Sequence, residues 1–258
     1  MSASWPSIAE LREVTQPRDV MGRVNGEHWA GRLYMRHLSP YVTRLLLRTP
    51  LSADGVTWLM IASGLVAALV LTVPHPAAAL AAALLIQAQL LFDCCDGEVA
   101  RWRRTMSPAG VYLDRIGHYS TESALVAALG VRVDGGLASI GGWTTLGLVV
   151  SVLVLMVKSE TDLVHVARAF AGRPLLEDTG SHLRSGRIRG IRAVLRYVPF
   201  NRALLAIEFT FLAVVAAGVD AVAGDMTGSR ALLVVLVPIA VIVAGGHLLS
   251  ILSSQKLR

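Results

Sequence analysis

Apolar residues in this 258-residue chain gather into long, nearly uncharged runs. Polar gaps separate them, three of them short and rich in glycine or proline, the longest covering residues 158–202. A bilayer hydrocarbon core of about 30 Å is crossed by about 20 apolar helical residues. Six runs reach or approach that length: 55–73, 77–92, 111–131, 140–157, 203–219 and 231–252. The second continues into a segment that carries aspartates. Turn formers occupy the gaps: Pro74 and Pro76, then Asp134, Gly135 and Gly136, then the stretch from Gly224 to Gly228. The pattern predicts an all-α integral membrane protein with six transmembrane helices.

Before the first run, residues 22–50 place Trp29, Leu33, Leu38, Val42, Leu45 and Leu46 at rough helical spacing among arginines. This predicts a basic amphipathic helix lying in the head-group region, interrupted near Ser39 and Pro40. The alternative is a cytosolic helix packed on the ends of the spans. No apolar core of signal-peptide type occurs in the first 25 residues. The expected organisation is a cytoplasmic N-terminal segment over 1–50 and a six-helix membrane domain over 51–258.

Composition agrees with a membrane location. Hydrophobic residues make up 54% of the chain and charged ones 16%, against about a quarter charged in soluble domains. Lysine and arginine outnumber aspartate and glutamate by 24 to 18, but 22 of the 24 fall on one side of the predicted spans. Only Arg132 and Arg230 fall on the other side. The positive-inside rule then puts both termini in the cytoplasm, and the basic excess calls for no nucleic acid. Cytoplasmic arginines also suit anionic membrane lipids. The two cysteines, Cys94 and Cys95, are adjacent, which excludes a disulfide framework and makes them small helix-packing residues.

The chemistry concentrates where the second run ends. Asp93 and Asp96 lie one turn apart on one helix face. The loop RWRRTMSP follows, in which Ser107 suits a helix cap and Pro108 a first helical position. The third span then carries Gly110, Asp114 and His118. An antiparallel hairpin of the two helices brings these polar side chains together. Several carboxylates at one mouth repel, and burial raises the cost of each charge. Oxygen ligands of this kind suit a hard divalent cation, magnesium or manganese, which bridges carboxylates and phosphates. Gly97 and Gly110 allow a ligand to approach the backbone, and Arg101 offers a planar fork to a phosphate. The pattern points to a metal-bound diphosphate at the membrane surface.

The spacing Asp93-x2-Asp96-Gly97-x2-Ala100-Arg101-x8-Gly110-x3-Asp114-x3-His118 resembles the signature of the CDP-alcohol phosphotransferase (CDP-alcohol phosphatidyltransferase) family, D-x2-D-G-x2-A-R-x8-G-x3-D-x3-D. Seven fixed positions match in identity, and His118 replaces the last aspartate. The resemblance implies transfer of a phosphoryl-alcohol from a CDP-alcohol donor to an acceptor hydroxyl with release of CMP, in phospholipid or polyol-phosphate lipid synthesis. It implies that Asp93, Asp96 and Asp114 hold the metal, and that Gly97, Ala100, Arg101 and Gly110 shape the CDP site together with Asp93. The final position is the base toward the acceptor hydroxyl, here His118.

The family's P-N-x-x-T element resembles Ala53-Asp54-Gly55-Val56-Thr57, which implies cytidine contacts from Thr57 and Asp54; Asp54 also suits a helix cap. By the same resemblance Lys158, Arg184, Arg187, Arg189 and Arg192 are candidates for an acceptor pocket, and the chain is expected to form a homodimer. Glu208 and His247, inside apolar spans, suit interhelical contacts. Because His118 departs from the signature, a catalytically silent CDP-lipid-binding membrane scaffold stands as the alternative function. A metal-ion transporter fits less well, since the acidic cluster lies at a span end rather than at the bilayer midplane.

Overall fold

A computed structural model describes residues 5–17, 28–174, 200–253 and 257. Among these residues the secondary structure is helical and contains no strand. The elements are α1 (Ile8–Thr15), a wide π-helical turn (Gly31–Met35) running into α2 (Arg36–Leu46), α3 (Ala53–Leu71), α4 (Pro76–Arg103), α5 (Pro108–Val133), α6 (Gly142–Phe170), a 3-10 turn (Phe200–Leu204), α7 (Ala206–Ala223) and α8 (Thr227–Leu252). The chain divides into two compact units: Met1–Gly64 with Leu85–His118, and Leu65–Leu84 with Tyr119–Arg258.

All six apolar runs are helical. Five helices, α3, α4, α6, α7 and α8, are long and apolar enough to cross a membrane. They expose large apolar side chains, among them Leu69, Leu84, Val152, Val215 and Ile242. Contiguous apolar exposure on this scale suits lipid rather than water. This is a multi-pass membrane protein. The remaining long helix, α5, falls outside the five because its 26 residues include Asp114, Arg115, Glu122 and Arg132. Several of its polar residues are buried in the protein: Thr121, Glu122, Ser123 and Arg132.

In the first unit, a capping box opens α1. Ser7 N donates to Glu10 Oε2 at 2.7 Å, and Glu10 N donates to Ser7 Oγ at 3.2 Å. The expected interruption of the next helix at Pro40 is absent, and α2 runs through that proline. Proline removes the hydrogen bond that the carbonyl four residues earlier would accept. That carbonyl belongs to Arg36, and the Gln16 side chain supplies the missing donor at 2.9 Å. The inward face of α2 is polar or small, with Ser39, Pro40 and Thr43 buried, while Leu33, Leu38, Tyr41 and Leu45 are exposed. Ala53, Val56, Cys95 and Val99 form the local core. Both cysteines are free and buried, as expected of packing residues.

Helix α4 continues through Arg101–Arg103 instead of giving way to loop at Arg101. The connection to α5 shrinks to four residues. Thr105 N donates to Ala100 O at 2.9 Å and Arg104 N to Arg101 O at 3.3 Å, a Schellman closure with Arg104 at φ 56°. Ser107 caps α5 as expected, its Oγ accepting from Gly110 N at 3.0 Å.

In the second unit, Arg132 is fully buried. It donates to the carbonyls of Val73 at 2.5 Å and His75 at 3.2 Å, and to Ser229 Oγ at 3.3 Å. Asp220 stands 3.9 Å away and accepts from Ser229 N and Oγ at 2.9 and 2.5 Å. One guanidinium thus joins the α3–α4 turn, the end of α5 and the α7–α8 connection. Helix α6 runs past the expected end at Val157 to Phe170, because residues 158–170 keep an apolar periodicity at Leu163, Val164 and Val166 and hold no helix breaker.

The start of α6 lacks a cap at Gly141, and Asp134 stands in. Its Oδ2 accepts from Gly141 N at 2.8 Å, Thr144 N at 2.7 Å and Thr144 Oγ1 at 2.7 Å. Partial desolvation opposes the charge, but the bonds from Thr144 and Gly141 outweigh it and hold the carboxyl below its usual range. A carboxyl depressed on folding stabilises the fold above its unfolded pKa and loses that contribution as pH falls through the folded value. Asp134→Ala is therefore expected to lower the melting midpoint of the detergent-solubilised protein by about 2–4 °C at neutral pH, for a cap worth about 1 kcal/mol. The gap between variant and wild type should close in acid below the aspartate range.

Candidate active site

A cavity of about 390 Å³ opens in the first unit, among α2, the start of α3, the end of α4 and the start of α5. All seven positions that match the signature line it: Asp93, Asp96, Gly97, Ala100, Arg101, Gly110 and Asp114. Asp54 and Thr57 of α3 line it as well. The hairpin expected from sequence is therefore formed.

Its two glycines have separable reasons. A Cβ at Gly97 would stand 3.1 and 3.2 Å from the Arg101 guanidinium nitrogens, so glycine lets that side chain lie along its own helix. A Cβ at Gly110 would stand 3.2 Å from Asp54 Oδ1, so glycine there lets the α3 carboxylate approach α5. The cap of α3 is Ser52, whose Oγ accepts from Gly55 N at 3.1 Å. Asp54 is thus released from the capping role and faces the cavity.

The carboxylates fall into two settings. Asp96 is held on its own side, accepting from Thr57 Oγ1 at 2.8 Å and from Gly97 N at 2.5 Å. Asp93, Asp114 and His118 converge instead. His118 Nε2 lies 3.1 Å from Asp93 Oδ1 and 3.4 Å from Asp114 Oδ1. One ligand atom from each of the three falls within 4.8 Å of the others. Their side chains are 26%, 41% and 37% exposed, open enough for an ion to enter. Two carboxylate oxygens and an imidazole nitrogen at this separation fit a divalent cation. Asp96 can join such a set through its remaining lone pairs, since an ionised carboxylate offers about four acceptor sites.

Two residues of this region escaped the sequence reading. Glu98, two positions after Asp96, is fully buried. Its oxygens accept from Ser39 Oγ at 2.5 Å, Thr43 Oγ1 at 2.7 Å and Gln16 Nε2 at 2.8 Å, and Arg36 Nη1 lies 3.5 Å away. Arg36 itself lines the cavity. Arg101 Nε donates to Thr15 O at 2.5 Å, so the last turn of α1 helps aim the arginine of the signature. The capping box Ser7-x-x-Glu10 was the available signal for α1. For Glu98 the signal was a lone carboxylate at the foot of an apolar helix, and its polar partners all lie more than fifty residues earlier in the chain.

The other candidates belong to the second unit or lie outside the described residues. Lys158 Nζ pairs with Glu122 Oε2 at 2.8 Å, within the second unit. Tyr119 OH donates to Lys158 O at 3.0 Å and also meets Asp162. Arg184, Arg187, Arg189 and Arg192 lie outside the described residues. His247 Nε2 meets Thr161 Oγ1 at 3.1 Å, an interhelical contact between α8 and α6 as expected. Glu208 lies in the first turn of α7, where the helix dipole favours a negative charge.

A protein-family model for CDP-alcohol phosphatidyltransferase matches residues 51–244. Comparison with curated proteins finds no match.

Removing the buried carboxylate is expected to unfasten the N-terminal helices. Glu98→Ala takes the carboxylate away from Arg36 and from three neutral donors, and breaking a buried pair costs about 3–5 kcal/mol. Denaturant unfolding in detergent should report a loss of that order, with faster proteolytic release of residues before α3. Glu98→Gln, which keeps an acceptor, should lose less.

Proposed function

The chain belongs to the CDP-alcohol phosphatidyltransferase family, and we propose that it transfers a phosphoryl-alcohol from a CDP-alcohol to an acceptor hydroxyl, releasing CMP in phospholipid or polyol-phosphate lipid synthesis. The observation that carries this reading is the cavity lined by all seven matching residues of the signature. In this reading Asp93, Asp96 and Asp114 hold magnesium or manganese. The cation, when bound, supplies positive charge against the donor diphosphate.

The chain's own residues do the rest. Arg101 neutralises a phosphate through a planar fork. Gly97, Ala100 and Gly110 let the nucleotide approach the helix backbones, with Asp54 and Thr57 on the α3 side. The acceptor oxygen attacks the phosphorus that bears the donor alcohol, and the bond from that phosphorus to the bridging oxygen breaks. CMP leaves with that oxygen. The hydroxyl proton passes to His118. In this reading Nε2 is not a metal ligand: it carries a proton toward Asp93, 3.1 Å away, and Nδ1 is the proton-accepting atom. A base oriented by a third group is a recurrent catalytic arrangement.

The membrane disposition follows from the same reading. Residues 51–258 form the transferase domain, with α5 as a sixth span, and residues 1–50 precede it. Five crossings would leave the termini on opposite faces; six put both termini and the site in the cytoplasm, in accord with the arginine distribution. Exposed Leu33, Leu38, Tyr41 and Leu45 support an α2 lying in the head-group region. Lys158 and the arginines at 184, 187, 189 and 192 remain the acceptor-side candidates.

Purified protein incubated with a panel of CDP-alcohols and hydroxyl acceptors should release CMP for at least one pair. Chelation should abolish both CMP release and CDP binding, and magnesium or manganese should restore them. CDP binding that persists in chelator would remove the metal-diphosphate reading.

His118→Ala is expected to retain CDP binding while losing about 10²–10⁴-fold in turnover, the usual contribution of a general base. One observation favours a second reading: the signature's last aspartate is absent. If the wild type is inactive with every pair and His118→Asp creates turnover, the protein is a CDP-lipid-binding scaffold.

A further inference from the structure

The signature supplies one arginine to the cavity, yet the cavity has two. Arg36 lines it from α2, opposite in sequence to everything the family match covers, since that match begins at residue 51. We propose that Arg36 is a second phosphate-binding residue, which with Arg101 grips the donor diphosphate. The proposal rests on the CDP-alcohol reading of the site.

Three features aim Arg36 at this task. First, Glu98 places a negative charge beside its guanidinium. The Arg36–Glu98 separation is 3.5 Å, longer than the 2.7–2.9 Å typical of a charge-assisted hydrogen bond. Glu98 already receives three shorter bonds from Gln16, Ser39 and Thr43. The carboxylate therefore supplies counter-charge to the arginine, while hydroxyls and an amide meet the carboxylate's own hydrogen-bonding needs.

Second, the backbone at Arg36 is specially built. It follows the wide π-helical turn Gly31–Met35, a feature that shifts helical phase and is frequent at functional sites. Its carbonyl, released by Pro40, is held by Gln16 at 2.9 Å. The same Gln16 amide reaches Glu98 at 2.8 Å, so one side chain fixes both the backbone of Arg36 and its counter-ion.

Third, the charge pattern of the lining fits a ligand that carries both signs of partner. Asp54, Asp93, Asp96 and Asp114 suit a cation, and Arg36 and Arg101 suit an anion with more than one phosphate. A guanidinium matches phosphate oxygens with a planar pair of donors. Two arginines match two phosphates.

The test compares CDP and CMP binding to the full chain in detergent with magnesium, by calorimetry or equilibrium dialysis. Arg36→Gln should weaken CDP about tenfold or more, as expected for loss of a hydrogen bond to a charged group, and should weaken CMP much less. Arg36→Lys, which keeps charge and volume, should show the same preference with a smaller loss, and it serves if the glutamine variant fails to fold. A merely structural role would weaken both nucleotides alike or shift only the melting midpoint, and either result overturns the proposal. Unchanged CDP affinity in a folded Arg36 variant also overturns it. Wild-type protein that binds no CDP would instead remove the CDP-alcohol reading, and the proposal with it.

Discussion

A carboxylate removed from water must be given its hydrogen bonds and its counter-charge by the protein. Glu98 imposes that requirement on the first unit. It is fully buried near the C-terminal end of α4, and the groups that satisfy it come from α2 and from the segment after α1. This explains why α2 turns a polar face inward and an apolar face outward. Ser39 and Thr43 are spent on Glu98, so Leu38, Tyr41 and Leu45 have no protein core to enter. A buried ion pair is weak evidence of net stability, but it strongly penalises alternatives in which one partner is lost. Its effect here is to specify how the N-terminal helices dock beside the signature.

The second unit has a matching constraint of opposite sign. Arg132 brings a positive charge into the protein, and backbone carbonyls, Ser229 and Asp220 answer it. The carbonyls of Val73 and His75 also accept from His75 N at 2.8 Å and Ala78 N at 3.0 Å, and the second lone pair of each serves the guanidinium. Each unit is thus organised by one ionic group that no hydropathy pattern can foresee.

The long helices were legible because membrane solvation forces apolar residues into runs of sufficient length. The signature was legible because its residues lie within one helical hairpin, so spacing in sequence is nearly spacing in space. What escaped was of another kind. Helix α1 is short and polar, and only its capping box announces it. The extension of α6 beyond Val157 was hidden because charged residues end a hydrophobic run without ending a helix. Pro40 was read as an interruption because the donor that replaces its N–H, Gln16, lies on a different segment. Asp54 was ambiguous until Ser52 was seen to hold the cap. Arg36 and Glu98 are partners sixty-two residues apart, and neither has a local pattern that points to the other.

Gln16 and Pro40 form a matched pair with a consequence for how this chain can vary. The proline takes away a donor, and the glutamine amide restores one to the same carbonyl. Replacing the glutamine alone leaves a carbonyl and part of Glu98 unserved. Replacing the proline alone returns a backbone donor that competes for an acceptor already occupied. Changing both together removes the need at the Arg36 carbonyl along with its remedy, and leaves Glu98 to Ser39 and Thr43. Substitutions at the two positions should therefore be non-additive, as is usual for residues that share a partner. Exchange at either site should therefore cost less once the other has changed, although the two positions lie on different segments of the chain.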